Sequence, residues 1–131
     1  MSYNKKRVSE GKWIAIYPFG YERVIAEDGV SIEVVINKQQ AEIVKYIFDL
    51  YVSGDYSLEM IAQEVNSKYR MIMYKSKIES LIKKTFYYGD MKIKGELYPH
   101  NYGAIITKEV FDQAQEIATK RRGRWISPLH K

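Results

Sequence analysis

Two helical patterns separated by a very short break constrain what this chain can fold into more than any other feature. Apolar residues recur at helical spacing from Ala41 to Tyr51. Asn37 and Gln40 precede that pattern at the spacing of a capping box, which satisfies the free backbone N–H groups at a helix start. Ser53–Gly54 marks the expected end, since Gly is the usual residue just past a helix. The sequence therefore predicts a helix that begins after Asn37 and stops abruptly.

A second, shorter helix is predicted directly after this break. Ser57 is a good N-cap, and the apolar residues that follow it fall on one helix face: Leu58, Ile61, Ala62 and Val65. After a linker that contains residues 69–74, Ser76 and Glu79 form another capping pattern and open a third helix. The apolar stripe of that helix is Ile78, Leu81 and Ile82. Two short helices joined tightly and followed by a third with a charged outer face are typical of a helix-turn-helix element.

Short strands and a last helix are expected around this three-helix core. Residues 22–25 and 31–36 are separated by turn residues and predict a β-hairpin. Further strands are expected at residues 90–93 and around residues 97–106, and Thr107 then caps a C-terminal helix. The predicted fold class is α+β: a small helix-turn-helix-like three-helix core with short β-hairpins and a C-terminal helix.

Charge is divided unevenly along a chain whose formal net charge is +5. Residues 1–12 form a basic N-terminal arm and residues 120–131 a basic C-terminal tail, which leaves residues 13–119 as the expected domain. Within it, residues 13–65 are mainly acidic, whereas residues 66–94 carry eight Lys or Arg against two carboxylates. Such a concentration of one sign indicates a polyanion-binding face, although a solvated lysine-rich surface would show the same pattern.

The third helix is expected to meet duplex DNA, because phosphates are bound by Lys, Arg and small hydroxyls. It has no Arg, Asn or Gln for bidentate contacts to bases, so base readout by this helix should be modest. Lys77 and Ser80 are expected at the groove, and Lys83 and Lys84 at backbone phosphates. The full set of candidate DNA-binding residues is Lys68, Arg70, Lys75, Ser76, Lys77, Ser80, Lys83, Lys84, Lys92, Lys94, Arg121, Arg122 and Arg124.

Residue types and spacings needed for catalysis, metal binding or membrane insertion are missing. The chain has no Cys, its carboxylates are scattered, and His100 and His130 have no visible catalytic partner and are expected at the surface. Isolated glycines make no phosphate-binding loop. We expect no catalytic residue, no metal and no cofactor. No apolar run approaches the roughly 18 residues needed to span a bilayer, so we expect a cytoplasmic protein without a membrane partner.

Four segments carry motifs in a recognisable order. They are GKWIAIYPFGY (11–21), AEIVKYIFDLYVSGDYSLEMIAQEVN (41–66), FYYGDMKIKGE (86–96) and AIITKEVFDQAQ (104–115). Together they resemble the recombinase domain of the large serine recombinases, the family of phage integrases and transposon resolvases. The chain departs from the family pattern in the expected DNA-facing region, at residues 67–69, Tyr74 and residues 84–85.

The resemblance implies a central DNA-binding domain that helps to place a parent recombinase on double-stranded attachment-site DNA for integration or excision. In the family, a separate N-terminal domain carries the serine that attacks DNA, and a Cys-rich zinc ribbon often follows. The chain is therefore expected to be an excised middle domain whose partners are attachment-site DNA, the parent's catalytic domain and, since the parent is expected to be a homo-oligomer, further copies. The alternative is a free-standing helix-turn-helix transcriptional regulator that works as a dimer.

Overall fold

The computed structural model describes residues 17–30 and 32–130, with side chains as far as Arg121. Over this part of the chain the elements are, in order, β1 (Tyr21–Ile25), β2 (Ile32–Ile36), α1 (Lys38–Ser53), α2 (Leu58–Tyr69), α3 (Lys75–Leu81), a 3₁₀ helix (Thr85–Tyr88), β3 (Asp90–Ile93), β4 (Glu96–Pro99) and α4 (Lys108–His130). The strands form two separate antiparallel hairpins, β1–β2 and β3–β4. The α+β class and the three-helix core with hairpins and a last helix are confirmed.

The chain divides into two units by its internal contacts. The first unit comprises residues 1–45 and 84–107, and the second comprises residues 46–83 and 108–131. The passage from the first unit to the second falls within α1, whose bounds agree with the predicted helix. No helix in the described part of the chain is long and apolar enough to cross a membrane.

In the first unit, the hairpin β1–β2 is joined to the start of α1 through Gly20. Gly20 has a φ of 111°, and a Cβ there would lie 2.8 Å from the Ile105 side chain, so only glycine fits. Its N–H donates to the side-chain oxygen of Gln40 at 2.9 Å, while the side chain of Asn37 accepts from the Gln40 N–H at 2.9 Å. The predicted cap by Asn37 is confirmed, and the Gln40 side chain fixes the preceding turn.

In the second unit, apolar faces of the helices form a core that excludes water. Its fully buried side chains include Ile47, Phe48, Ile61, Val65, Ile78, Leu81 and Ile82. The hydroxyl of Ser57 accepts from the Met60 N–H at 3.1 Å, which confirms the predicted cap of α2. α2 continues to Tyr69, four residues beyond its last predicted apolar position, and ends at Arg70, which has a left-handed φ of 52°.

The predicted cap of α3 by Ser76 is wrong. The helix begins at Lys75, and its N-cap position is occupied by Tyr74, whose side chain makes no capping bond. The Tyr74 carbonyl accepts from the N–H groups of Lys77 and Ile78, at 3.0 and 3.2 Å, so the first helical turn is already closed before Ser76 can cap it. Ser76 and Glu79 are instead exposed residues within the helix.

The C-terminal elements also differ from their predicted extents. The strand expected around residues 97–106 is limited to β4, and the chain beyond Pro99 forms turns. α4 begins directly after Thr107, as predicted, but continues to His130 past Gly123 and Pro128. A single glycine costs a helix only about 1 kcal/mol, which does not suffice to end it at Gly123. Pro128, which disfavours a helix more strongly, lies only two residues before the helix ends. The helix thus includes most of the segment that the sequence assigns to a basic C-terminal tail.

Candidate nucleic-acid interface

The turn between α2 and α3 is fixed by the side chain of Asn66. Its amide nitrogen donates to the Met73 carbonyl at 3.0 Å, and its amide oxygen accepts from the Met73 N–H at 2.7 Å. Met73 is buried, so both of its backbone groups would otherwise lack a partner. The Met71 N–H also donates to the Asn66 carbonyl, at 3.3 Å. These bonds hold α2 and α3 in the fixed arrangement that a helix-turn-helix element requires.

The outer face of α3 carries the residues predicted to meet DNA. Ile78 and Leu81 are buried, whereas the polar positions of the helix are exposed: Lys75, Ser76, Lys77, Glu79 and Ser80. Lys83, just past the helix, is also exposed. Among the described residues, the side chains of Lys77, Ser80 and Lys83 have no hydrogen-bond or ion-pair partner. Their charges and hydroxyls are therefore available to an external anion.

Two predicted cations of the second unit have intramolecular neighbours. The ammonium of Lys75 lies 3.7 Å from the Glu59 carboxylate, in a pair so exposed that it contributes little stability. The ammonium of Lys68 lies 4.1 Å from the ring centroid of Tyr46, a cation–π contact that restricts where this side chain can reach. Both groups nevertheless remain exposed to solvent.

The side chain of Arg121 contacts two residues of the second unit, to which it belongs. Its guanidinium donates to the Tyr56 carbonyl at 2.7 Å and lies 4.8 Å from the ring centroid of Tyr51. The side chain thereby ties α4 to the segment between α1 and α2. The side chain also borders an open groove of about 500 Å³. The groove is lined by cations such as Lys83 and also by carboxylates such as Glu79. The mixed charge of this groove does not favour one sign of ligand.

The remaining predicted cations belong to other parts of the chain. Lys84 precedes the 3₁₀ helix, Lys92 lies on β3 and Lys94 occupies the β3–β4 turn with a left-handed φ of 52°, all in the first unit. Lys92 and Lys94 are exposed. The side chains of Arg122 and Arg124 lie outside the described part of the structure. The second unit brings together Lys68, Arg70, Lys75, Ser76, Lys77, Ser80 and Lys83.

The prediction that His100 is a surface histidine is wrong. Its Nε2 lies 2.6 Å from the Phe86 carbonyl, its Nδ1 accepts from the Tyr102 N–H at 3.2 Å, and its ring stacks on that of Phe86 at 4.0 Å. These contacts assign the proton to Nε2. Burial lowers the pKa of His100, partly offset by the Phe86 bond and by Asp90. The imidazole is therefore a packing group. The side chain of His130 lies outside the described residues.

Two buried tyrosines of the first unit, Tyr21 and Tyr87, are poor nucleophiles. Tyr21 donates to the Gly103 carbonyl and Tyr87 to the Phe19 carbonyl, each at 2.6 Å. Burial raises the pKa of both hydroxyls well above the ordinary value, so they stay protonated. Among the described residues, no group of three or more His, Asp or Glu side chains is placed to hold a metal ion.

Comparisons with known proteins agree with this geometry. Residues 38–121 match the family described as Recombinase. One similar solved structure is a crystal structure of an LSR–DNA complex, with a TM-score of 0.74 and 20% identity, covering 91% of this chain and 37% of that chain. Another structure comes from work on the sequence requirements of the Listeria innocua prophage attP site. It has a TM-score of 0.74 and 18% identity, and the match covers 90% of this chain and 50% of that chain. This chain thus spans half or less of the solved chains that it matches. No curated protein matches the sequence.

Proposed function

Because the chain belongs to the Recombinase family, we propose that it is the domain that positions a large serine recombinase on double-stranded attachment-site DNA. The similar structures support this proposal, since one is an LSR–DNA complex and the other concerns a prophage attP site. The family match covers residues 38–121, and the structural likeness extends over nine-tenths of the chain. Both extend beyond the three helices that a free-standing helix-turn-helix regulator would need, which favours the recombinase over that alternative.

The observation that carries the proposal is the exposed cationic face of α3 on a turn fixed by Asn66. In helix-turn-helix proteins the second helix of the motif enters the major groove while the first crosses the backbone. α3 has the corresponding place after α2, with Lys77 and Ser80 free to approach base edges and Lys83 free to approach phosphate. The fixed turn supplies the orientation that such docking needs.

Further phosphate contacts are assigned by charge and, for Ser76, by its exposed hydroxyl. In the second unit these are Lys68, Arg70, Lys75 and Ser76, and in the first unit Lys84, Lys92 and Lys94. The C-terminal tail, residues 120–131, contributes Arg121, Arg122 and Arg124 once it is on DNA, and residues 1–12 contribute as a second arm. The hydrogen bond from Arg121 to Tyr56 means that Arg121 reaches phosphate only if that bond is released.

Strand cleavage is assigned to the parent enzyme and to another of its domains. Phosphoryl transfer from a serine requires clustered arginines around the hydroxyl. Ser57 is occupied as the cap of α2, and the exposed Ser76 and Ser80 of α3 lie among lysines. We further propose that the parent works as a homo-oligomer in the cytoplasm. The isolated chain should form no covalent adduct with a nicked attachment-site duplex, and an adduct would overturn this division of labour.

A salt titration tests duplex binding directly. If six to eight phosphates are neutralised, the logarithm of affinity for a labelled duplex should fall with the logarithm of salt at a slope of roughly −5 to −7. Fluorescence anisotropy between about 50 and about 200 mM salt covers the useful range. A flat response, or equal affinity for a neutral polymer, would contradict the proposal.

A further inference from the structure

Two large apolar side chains are displayed in the turn between α2 and α3. Ile72 is 77% exposed and Tyr74 is 71% exposed, whereas Met73 between them is 4% exposed. Side chains of an extended segment alternate between two faces. The inward face is buried in the unit, and the outward face presents an isoleucine and a tyrosine to solvent immediately before α3.

The display is held by the fold. The Asn66 side chain bonds to both backbone groups of Met73, the residue between the two exposed ones. Tyr74 is extended, with φ −93° and ψ 159°, and its carbonyl accepts the first hydrogen bonds of α3. A segment ordered in the free protein loses less conformational entropy on binding than a mobile loop does.

The charge around the two side chains favours a polyanion as the occupant. Residues 66–77 contain four cations and no carboxylate. All four are exposed: Lys68, Arg70, Lys75 and Lys77. Apolar surface within a cationic rim is complementary to the thymine methyl group and the sugar edges of duplex DNA, where apolar surface is flanked by phosphates.

We propose that Ile72 and Tyr74 are specificity-determining residues that contact DNA at thymine, with Ile72 against the C5-methyl group and the Tyr74 ring against the adjoining sugar. This inference rests on the proposed function, in which α3 enters the major groove beside them. Apolar contact with the thymine methyl is an established way of distinguishing A·T from G·C pairs. It supplies base discrimination where α3 has no Arg, Asn or Gln to make bidentate contacts.

Paired polymers isolate the methyl group. Alternating poly(dA–dT) and alternating poly(dA–dU) duplexes differ only in the C5-methyl of the pyrimidine. The wild-type chain should bind the thymine polymer about four-fold more tightly at equal salt, the effect of burying about one methyl per contact. Ile72→Ala should bring the ratio close to one. Tyr74→Ala should weaken binding to both polymers, and Tyr74→Phe should retain the wild-type affinity because the ring, not the hydroxyl, makes the contact.

A matched control is available in the first unit. Ile25 is 70% exposed, nearly as much as Ile72, but it lies on the acidic hairpin β1–β2. Ile25→Ala should leave the thymine-to-uracil ratio and the affinity unchanged. Because the side chains replaced are exposed, all variants should keep the wild-type thermal unfolding profile, which is measured alongside.

The outcomes separate this inference from the proposed function. A wild-type ratio of one, or a ratio that Ile72→Ala leaves intact, would overturn the inference while salt-dependent duplex binding upheld the function. Equal loss on both polymers with Ile72→Ala would place Ile72 on the backbone and would also overturn it. Stronger binding to anionic phosphatidylserine vesicles than to either duplex, abolished by Ile72→Ala, would assign the patch to a membrane surface. Loss of all salt-dependent duplex binding would defeat the proposed function itself.

Discussion

The hairpin β1–β2 and the α2–α3 turn both expose large apolar side chains, but in opposite electrostatic settings. On the hairpin, Ile25 and Ile32 face each other in register and remain exposed. That hairpin carries a single cation, Arg23, against four carboxylates: Glu22, Glu27, Asp28 and Glu33. In the α2–α3 turn, Ile72 and Tyr74 have cations on both sides and no carboxylate among residues 66–77.

This difference shows that apolar exposure alone does not identify a DNA contact. Scattered apolar side chains are common on protein surfaces. A polyanion is repelled from the hairpin and attracted to the turn, although the apolar groups themselves are similar. The overall charge of +5 conceals the contrast. If this contrast governs binding, changes in the turn should alter duplex affinity and matched changes on the hairpin should not.

Removing the Asn66 side chain should disrupt the cationic region most. Asn66→Ala leaves both backbone groups of buried Met73 without their partner, which should lower the free energy of unfolding by roughly 2 to 4 kcal/mol. The same change releases Ile72 and Tyr74 from their fixed display, so duplex affinity should fall even under conditions where the variant is fully folded. Urea unfolding and anisotropy measure the two effects.

The matched control for this change is Gln63→Ala. Gln63 is an exposed amide on the same helix, so its removal should alter neither stability nor binding. Wild-type stability in Asn66→Ala would show that the turn is held by packing alone.

Lysine substitutions should have the next largest effect. Lys83→Ala and Lys84→Ala should each weaken binding to every duplex by roughly three- to ten-fold and reduce the salt slope by about one. Lys77→Ala and Ser80→Ala should instead change the relative preference among duplex sequences. Selection from a random duplex library, followed by anisotropy on the enriched sequences, measures both.

Arg23→Ala on the acidic hairpin is the charge-matched control for these lysines and should leave affinity unchanged. If Lys77→Ala and Ser80→Ala, like the two other lysine variants, lowered the affinity for every duplex equally, α3 would only position the protein and would read no bases.

Glu79→Gln should strengthen binding by a smaller amount. Glu79 is the only carboxylate on α3; it lies one helical turn from Lys75 and borders the same groove as Lys75 and Lys83. Neutralising it removes repulsion from phosphate, which should raise affinity for all duplexes by roughly two- to five-fold, less at high salt. Because Glu79 makes no cap, the variant should unfold at the wild-type temperature.

Glu33→Gln on the hairpin should change neither affinity nor stability. A lower unfolding temperature for Glu79→Gln would show that this carboxylate supports the fold despite its exposure.

Local chemistry predicted much of the second unit. The Ser57 cap and the end of α1 before Gly54 follow from residues within one helical turn, so the sequence alone indicates them. The N-cap of α3 at Tyr74 does not follow from local sequence, because the chain before the helix is fixed by Asn66, seven residues away from Met73. From the sequence alone, residues 69–74 are only a linker. No sequence pattern indicates that the side chains of Ile72 and Tyr74 are exposed to solvent.

Long-range contacts explain the other differences. The residues next to Arg121 in sequence predict a basic tail, but the partners of Arg121 are the Tyr56 carbonyl and the Tyr51 ring, far away along the chain. The residues next to His100 are typical turn residues and predict a position at the surface. Its burial depends on Phe86, fourteen residues away, and on no local pattern.

The two units also differ in the side chain that fixes their backbone. The α2–α3 turn is held by an amide that does not titrate, whereas in the first unit the backbone near Phe86 is held by the imidazole of His100. Burial lowers the pKa of His100 below that of the unfolded chain. As pH falls through about 6.5, the imidazole of the unfolded chain is therefore protonated before that of the folded chain. The free energy of unfolding decreases as the pH is lowered.

His100→Gln should remove part of that pH dependence, because the Gln amide can still donate to the Phe86 carbonyl but cannot be protonated. Urea unfolding at several values between about pH 7.5 and about pH 5.5 should show a smaller slope for the variant than for the wild type. Asp90 favours the protonated imidazole, so Asp90→Asn should steepen the slope. Asn66→Asp is the comparison in the second unit, because it places a titratable group at the backbone contact that the wild-type amide makes without titrating. The Asp carboxylate can still accept from the Met73 N–H, but it can no longer donate to the Met73 carbonyl. Equal slopes for wild type and His100→Gln would show that protonation of this imidazole does not oppose folding.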